Sequence, residues 1–406
     1  MPLSIYLHIP FCTTRCSYCD FNTYTGLEDW MPEYVEALQK DIERWGAYLK
    51  KPGIHTVFFG GGTPSLLSAP QVLSLMDTLR GAFTLIDGAE VTLEANPGDC
   101  SLAHFQRLYQ VGITRLSMGI QTFDDAALRS LGRRHSAEVA REAVRIAKKA
   151  GFESVNFDLI YSLPGQTIEA WRKNLDEALT LRPAHLSLYA LTLEENTPMW
   201  RDVNRGKLPT PDPDLAADMY ELARETLARA GYSHYEISNW AFEGKECRHN
   251  RTYWRNHPYI GLGPGAHSSF KNHRFSIIRS PQEYAKWKPE MVSDNFPGSL
   301  KSLSPIDYIE YIDKPLEQAE TAILGLRLVK EGVSKSDFTA RFGEHAWAEL
   351  VDKVQVPKEM GLVAVSEERL RLTSEGLLLS NEVFWRLLPE HATATSAIKG
   401  LNSSPA

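Results

Sequence analysis

At 406 residues the chain is long enough for a large core and for more than one domain. Its 43% hydrophobic and 23% charged content is that of a soluble globular protein, and a net charge of −7 with a pI near 6.0 leaves no basic footprint for nucleic acid. No apolar run is long enough to span a bilayer and no signal or transit segment precedes the first strand, so a cytoplasmic protein is expected, with any membrane contact peripheral.

The first strand leads into Tyr6-Leu7-His8-Ile9-Pro10-Phe11-Cys12-Thr13-Thr14-Arg15-Cys16-Ser17-Tyr18-Cys19-Asp20-Phe21, which holds three of the five cysteines as CxxxCxxC. Three thiolates this close can hold three corners of an iron–sulfur cube and leave the fourth iron without a protein ligand. A structural zinc would need a fourth ligand, and the nearest, His8, precedes the first cysteine on the strand. Three clustered cysteines in a long chain without a secretory signal do not make a disulfide framework either.

Downstream, a helix is expected over 30–49, with Tyr34, Val35, Leu38, Ile42 and Trp45 at helical spacing. A strand over 55–59 runs into Gly60-Gly61-Gly62-Thr63-Pro64. Then come helix 70–83, strand 90–95, helix 102–110, strand 115–120, helix 137–150, strand 154–161, helix 168–181 and strand 185–191. Six strands alternating with helices, without a dinucleotide fingerprint, favour an open, barrel-like parallel sheet over a doubly wound one. Polar and glycine-rich residues gather at the strand ends, where such folds do their work: the cysteine loop, GGGTP, Glu94-Ala95-Asn96-Pro97, Gly119-Ile120-Gln121-Thr122, Asp158 before Leu163-Pro164-Gly165-Gln166, and Tyr189-Ala190-Leu191.

After a helix over 214–230 come an aromatic and polar stretch, 231–240, and His249-Asn250-Arg251-Thr252-Tyr253-Trp254. In 259–270 the run Gly261-Leu262-Gly263-Pro264-Gly265 reads as a loop whose backbone approaches something closely. Residues 295–305, rich in Ser, Pro and Gly, are the expected linker. Short helices and two strands, 362–365 and 369–372, then outline a winged helix. The organisation expected is a barrel over 1–240, the HNxxYW segment, Gly/Pro loop and linker over 241–305, a winged-helix-like α+β domain over 306–390 and a disordered tail over 391–406. Between Glu320 and Arg386 nine Lys or Arg stand against eleven Asp or Glu, so this domain reads as a lid or partner-binding module rather than a DNA reader.

The glycines of GGGT fit a tight turn, or a backbone brought against the methionyl amino group of a cofactor; the strand beside the cysteine loop favours the second. Glu94, on an apolar strand, is suited to accept hydrogen bonds from ribose hydroxyls, and Gln121, Arg133 and Asp158 gain weight with it as a set. His249 is either a structural loop histidine or, with Tyr253 and Trp254 beside it, a nitrogen donor next to flat aromatic surface, a composition that suits a porphyrin. Cys100 and Cys247 read as unpaired and inert.

YLHIPFCTTRCSYCDF, FFGGGTPS, LEANP, SMGIQTF, NFDLIYSLPGQ, HNRTYW and YIGLGPGAHSSF together resemble the coproporphyrinogen dehydrogenase-like branch of the radical-SAM superfamily, and within it the haem chaperones of the HemW type. The resemblance implies an α/β fold, a partial (β/α)6 TIM-like barrel with a small C-terminal domain. It implies a [4Fe-4S] cluster on Cys12, Cys16 and Cys19, and S-adenosylmethionine at Tyr6, Tyr18, Gly61, Gly62, Thr63, Glu94, Gln121, Arg133, Asp158 and Ala190. Oxygen-independent coproporphyrinogen oxidases carry a further cysteine two residues after the third, where this chain has Phe21, and an extension before the first strand. HNRTYW points instead to haem, with His249 as the candidate ligand, and to a haem chaperone delivering to an acceptor protein such as a membrane respiratory enzyme. The alternative is coproporphyrinogen III dehydrogenation by a 5′-deoxyadenosyl radical. A radical-SAM enzyme of RNA is disfavoured by the acidic balance.

Overall fold

The structure, a computed structural model, describes residues 3–99, 101–289 and 295–389. Alternation builds its centre. In β1 (Leu3–Ile9) the polar Ser4, Tyr6 and His8 alternate with Ile5, Leu7 and Ile9. The same two-residue period recurs in β2 (Gly53–Gly61), β3 (Thr84–Ala95), β4 (Arg115–Gln121), β5 (Ser154–Tyr161) and β6 (His185–Ala190). The apolar set packs outward against α1 (Met31–Tyr48), α2 (Ala69–Ala82), α3 (Leu102–Gln110), α5 (Ala137–Lys149) and α6 (Ile168–Thr180) in one continuous core, while the short α4 (Asp125–Ser130) packs through Ala127 on a separate small cluster with Leu131, Ile160 and Met199.

Register then stacks the polar set. Ser4 stands opposite Thr56 and Thr56 opposite Glu90; Glu94 is opposite Ser117, Ser117 opposite Asn156, and Asp158 opposite Ser187. The six strands are parallel in the order β1 to β6, as the strand–helix alternation predicts. Serine, threonine and aspartate caps start several of the helices: Ser68, which forms a capping box with Gln71, Ser101, Asp124, Ser136 and Thr167.

The sheet does not stop at six. Beyond α7 (Pro198–Asn204) and α8 (Pro213–Arg229), β7 (Ser233–Glu236) and β8 (Asn239–Ala241) extend it past β6. Beyond the other edge lie β9 (Tyr259–Leu262), β10 (His267–Phe270), β11 (His273–Ile277) and, after α10 (Pro281–Lys286) and α11 (Leu300–Leu303), β12 (Ile306–Tyr311), giving twelve strands in all. Three expectations are corrected here. HNRTYW forms a helix, α9 (Arg248–Trp254), not a loop. Part of the Gly/Pro stretch is strand, because β9 pairs in parallel with β1. The expected linker is packed structure: Leu300 and Leu303 are buried, Ser304 Oγ binds Asp41 Oδ1 at 2.5 Å, and β12 pairs with β11 instead of opening the last domain.

The C-terminal unit runs α12 (Lys314–Leu326), β13 (Val333–Ser334), α13 (Lys335–Phe342), α14 (Glu344–Lys353), α15 (Gln355–Glu359), β14 (Val363–Val365), β15 (Arg369–Leu372), α16 (Ser374–Leu378) and α17 (Ser380–Leu387). Helix, short strand, helices and hairpin follow one another as in a winged helix, with strand order β13-β15-β14. It rests on α9: Arg251 and Arg255 share Glu331, and Asn256 Nδ2 donates to Thr321 Oγ1 at 3.0 Å. Cys100 and the tail expected to be disordered lie outside the described residues. No helix among the described residues is long and apolar enough to cross a membrane.

Candidate functional site

The cysteine loop leaves the C-terminal end of β1 and is bonded on both sides. Gly62 N donates to Ile9 O at 2.7 Å and Thr63 N to Phe11 O at 2.8 Å, so the GGGT strip lies flush against it. A side chain would prevent this approach: a Cβ on Gly62 would meet Phe11 O at 2.6 Å, and Gly61, at φ +115°, would press one into the His8 ring at 2.7 Å. The amides of Gly61, Gly62 and Thr63 are all taken within the protein, the first by Glu94 Oε2 at 3.1 Å. Carbonyls, not amides, are therefore what this strip can offer an amino group.

Cys12 is buried, Cys16 and Cys19 are partly exposed, and none is in a disulfide. Burial raises the Cys12 thiol pKa, partly offset by Thr63 Oγ1 at 3.5 Å, and pushes that of Cys19 up to about 11, with the neighbouring Cys16 and Cys12 adding to the shift. Thiols that raise one another's pKa in this way call for a cation to hold them as thiolates. Arg133 supplies part of that charge: Nη1 donates to Cys16 Sγ at 3.3 Å and Nη2 to Gly119 O at 2.6 Å. Its Nε is buried without a partner among the described residues. Tyr18 stands beside Cys16 and Arg133. Three adjacent free thiols, an arginine with an unused donor and no fourth cysteine fit a three-cysteine cluster whose last iron takes an outside ligand.

Below the loop the strand ends bring acids together. Burial pushes the Glu94 carboxyl up to about 8, with Asp158 adding to the shift and the Gly61 amide opposing it. Asp158, also raised by burial, accepts from Ser117 Oγ at 3.0 Å and Asn156 Nδ2 at 2.8 Å. Gln121 ends β4 at φ +66°, a strained conformation for a non-glycine residue, and Ala190 ends β6 exposed. Tyr6 lies deeper, its hydroxyl 3.1 Å from His8 Nδ1, while His8 Nε2 donates to Asn22 O at 2.9 Å and so ties the strand to the far side of the cysteine loop. Sequence reasoning weighed His8 only as a zinc ligand and passed over Asn22, Ser117 and Asn156, although the two-residue alternation that places the last two inward is visible in the sequence.

His249 is not on this rim. It is buried where the strands begin, with Nδ1 2.8 Å from Thr56 Oγ1 and Nε2 2.8 Å from Tyr253 Oη. Thr56 donates to Ser4 Oγ at 2.7 Å, Ser4 Oγ lies 3.0 Å from Thr252 Oγ1, and Thr252 donates to Arg248 O at 3.2 Å. That hydroxyl order makes Nδ1 the ring donor and leaves the Nε2 lone pair facing the Tyr253 hydroxyl. Burial lowers the imidazole to about 3, so it stays neutral. The expectation of an open donor is thus corrected: both nitrogens are occupied within the core. Cys247 beside it is buried with a thiol pushed up to about 12, in keeping with inertness.

Comparison with known proteins places this geometry. The model of the radical SAM superfamily matches residues 6–178, and that of the HemN C-terminal domain matches 316–379. "Heme chaperone HemW" of Mycobacterium tuberculosis (strain ATCC 25618 / H37Rv) is 38% identical over 390 residues, covering 95% of each chain. That of Bacillus subtilis (strain 168) is 35% identical over 389 residues, covering 95% of this chain and 99% of the relative. Among solved structures, "Coproporphyrinogen III oxidase (HemN) from Escherichia coli is a Radical SAM enzyme" aligns with a TM-score of 0.80 at 23% identity, over 95% of this chain and 90% of that one, a likeness of fold. Identity sustained along the whole length, on a barrel whose first strand delivers three free cysteines to its rim, makes the chain a member of the HemW family of the radical-SAM superfamily.

Proposed function

We propose that the chain is a haem chaperone: it binds haem and passes it to an acceptor protein, carrying a [4Fe-4S] cluster on Cys12, Cys16 and Cys19 and S-adenosylmethionine beside it. The observation that carries this reading is the identity along 95% of the chain to relatives named for haem chaperoning, against 23% to the oxidase. Phe21, 45% exposed at the end of the cysteine loop, stands where the oxidases place a further cysteine and supports the same reading.

A cluster and S-adenosylmethionine held here would supply 5′-deoxyadenosyl radical chemistry on reduction. The chain's own groups would hold the two together: the thiols would take three irons, Arg133 would offer its unused Nε, and Glu94 with Asp158 would face the ribose. We assign the haem iron to His249. Its neutral ring already presents an Nε2 lone pair, and ligation requires only that the Tyr253 hydroxyl give it up and that α9 open toward the ligand. A membrane respiratory enzyme is the acceptor we favour, met by peripheral contact at the membrane from the cytoplasm.

The test is one anaerobic preparation with an intact cluster, titrated with haem and separately incubated with S-adenosylmethionine, a reductant and coproporphyrinogen III. Stable haem absorbance without decarboxylated porphyrin is expected. Catalytic turnover to the decarboxylated product would make the chain an oxidase and HNRTYW part of a substrate pocket. His249→Ala should lose haem absorbance and keep that of the cluster.

A further inference from the structure

One arginine in the seam between barrel and C-terminal domain has no counter-charge in contact. Arg327 follows α12, and its backbone is fixed to the barrel edge: Ile237 N donates to Arg327 O, and Val329 N to Tyr235 O, both at 3.1 Å. Its guanidinium lies over the ring of Trp254, the last residue of α9, 4.2 Å from the centroid. Among the described residues it makes no hydrogen bond or ion pair, and its Nε is buried without a partner. A guanidinium carries five donors, and leaving one of them buried and unpaired is costly. The residue as a whole keeps partial exposure, while its Nε is shut off from solvent.

The surroundings are incomplete in the same way. Trp254 Nε1, Glu236 Oε2 and Asn239 Oδ1 are buried and unpartnered among the described residues. Glu236, the acid nearest in charge, is turned to Asn239 Nδ2 and Ser238 N and forms no ion pair with Arg327. Ser187 on β6 stands opposite Asp158 on one side and Asn239 on the other, so the seam lies one strand beyond the rim acids.

We propose that Arg327 binds a carboxylate of the tetrapyrrole, a propionate side chain, at the seam between the barrel and the C-terminal domain. This rests on the haem reading. A guanidinium stacked on an indole keeps its in-plane N–H groups free, and a planar carboxylate accepts two of them side by side. One cation next to Glu236 suits a monoanion and disfavours a dianion such as phosphate. Trp254 and Tyr253, on the same short helix as His249, are buried aromatics that a macrocycle would meet only once that helix opens.

The experiment compares haem with its dimethyl ester on the cluster-loaded protein, wild type and Arg327→Gln, by absorbance titration. Wild type should bind the ester about tenfold or more weakly than haem. Arg327→Gln should bind haem as weakly as wild type binds the ester, with little further loss on esterification. Arg327→Lys, which keeps the charge without the planar fork, should fall between. Equal affinity of wild type for haem and ester overturns the proposal and leaves the haem reading standing, and it does so without any variant that has to fold. Loss of S-adenosylmethionine binding in Arg327→Gln with haem binding unchanged also overturns it, by assigning the arginine to the other carboxylate. No haem bound by wild type overturns the haem reading and this proposal with it.

Discussion

Glu94 shows how one buried acid couples the barrel interior to pH. Its native pKa of about 8 lies above the ordinary 4.5 because burial, and then Asp158, disfavour its charge. Between those values the native state keeps the proton while the unfolded chain has released it, so the native state binds more protons. Stability from this group is therefore fully present below 4.5 and is lost as pH rises through 8. Glu94→Gln fixes the neutral form. Followed by thermal unfolding of cluster-free protein from acid to alkaline pH, the variant should gain on wild type steadily through that window and level off above it. Parallel curves would show that Glu94 carries no raised pKa. The residue was legible as a polar break at the end of an apolar strand. Its protonation was not, because that depends on Asp158, two strands away in the sheet and 64 positions away in the chain.

At the scale of elements, α9 is the unit that sequence reasoning mistook. Its seven residues are too few for a helical period to declare itself and too few to be stable alone. The helix exists because Glu90, midway along β3, accepts Arg248 N on Oε2 and His249 N on Oε1, both at 3.0 Å. A carboxylate from a distant strand thus does the work of a cap and opposes the positive end of the helix. Glu90→Ala should destabilise the protein by about 2 kcal/mol, the upper range for a lost helix cap, and should loosen His249; Glu90→Gln, which keeps an acceptor, should cost less. Denaturant midpoints for both decide it, and an unchanged midpoint in Glu90→Ala would sink this account of α9. By contrast most barrel helices and strands were legible to within a few residues, because long amphipathic segments and strict alternation leave little choice of partner, whereas the short α4 was missed and β3 begins at Thr84 rather than 90. The expected linker failed for the opposite reason. Its Ser, Pro and Gly signal flexibility locally, but Ser304 is held by Asp41 and Trp45 across 259 or more positions, contacts that composition does not record.

For the molecule as a whole, the C-terminal unit acts on the barrel through α9. Helix α9 reaches into the barrel through His249 and Thr56, and outward through Arg251 and Arg255 to Glu331 and through Trp254 to Arg327. The resemblance in sequence announced both units, but not this contact. The Glu331 pairs are partly exposed, so their removal should change overall stability by less than about 1 kcal/mol. Their effect should instead be local. Glu331→Ala removes the acceptor shared by two arginines of the α9 segment and frees that helix to open without unfolding the sheet. Hydrogen exchange should then show faster amide exchange across residues 248–254, with strands β1 to β6 unchanged. If opening of α9 is what exposes the Nε2 of His249, the same variant should take up haem faster than wild type. Faster exchange without faster uptake would place the iron elsewhere than His249. Exchange unchanged throughout α9 would mean that the barrel alone holds the helix and that the C-terminal unit does not govern its opening.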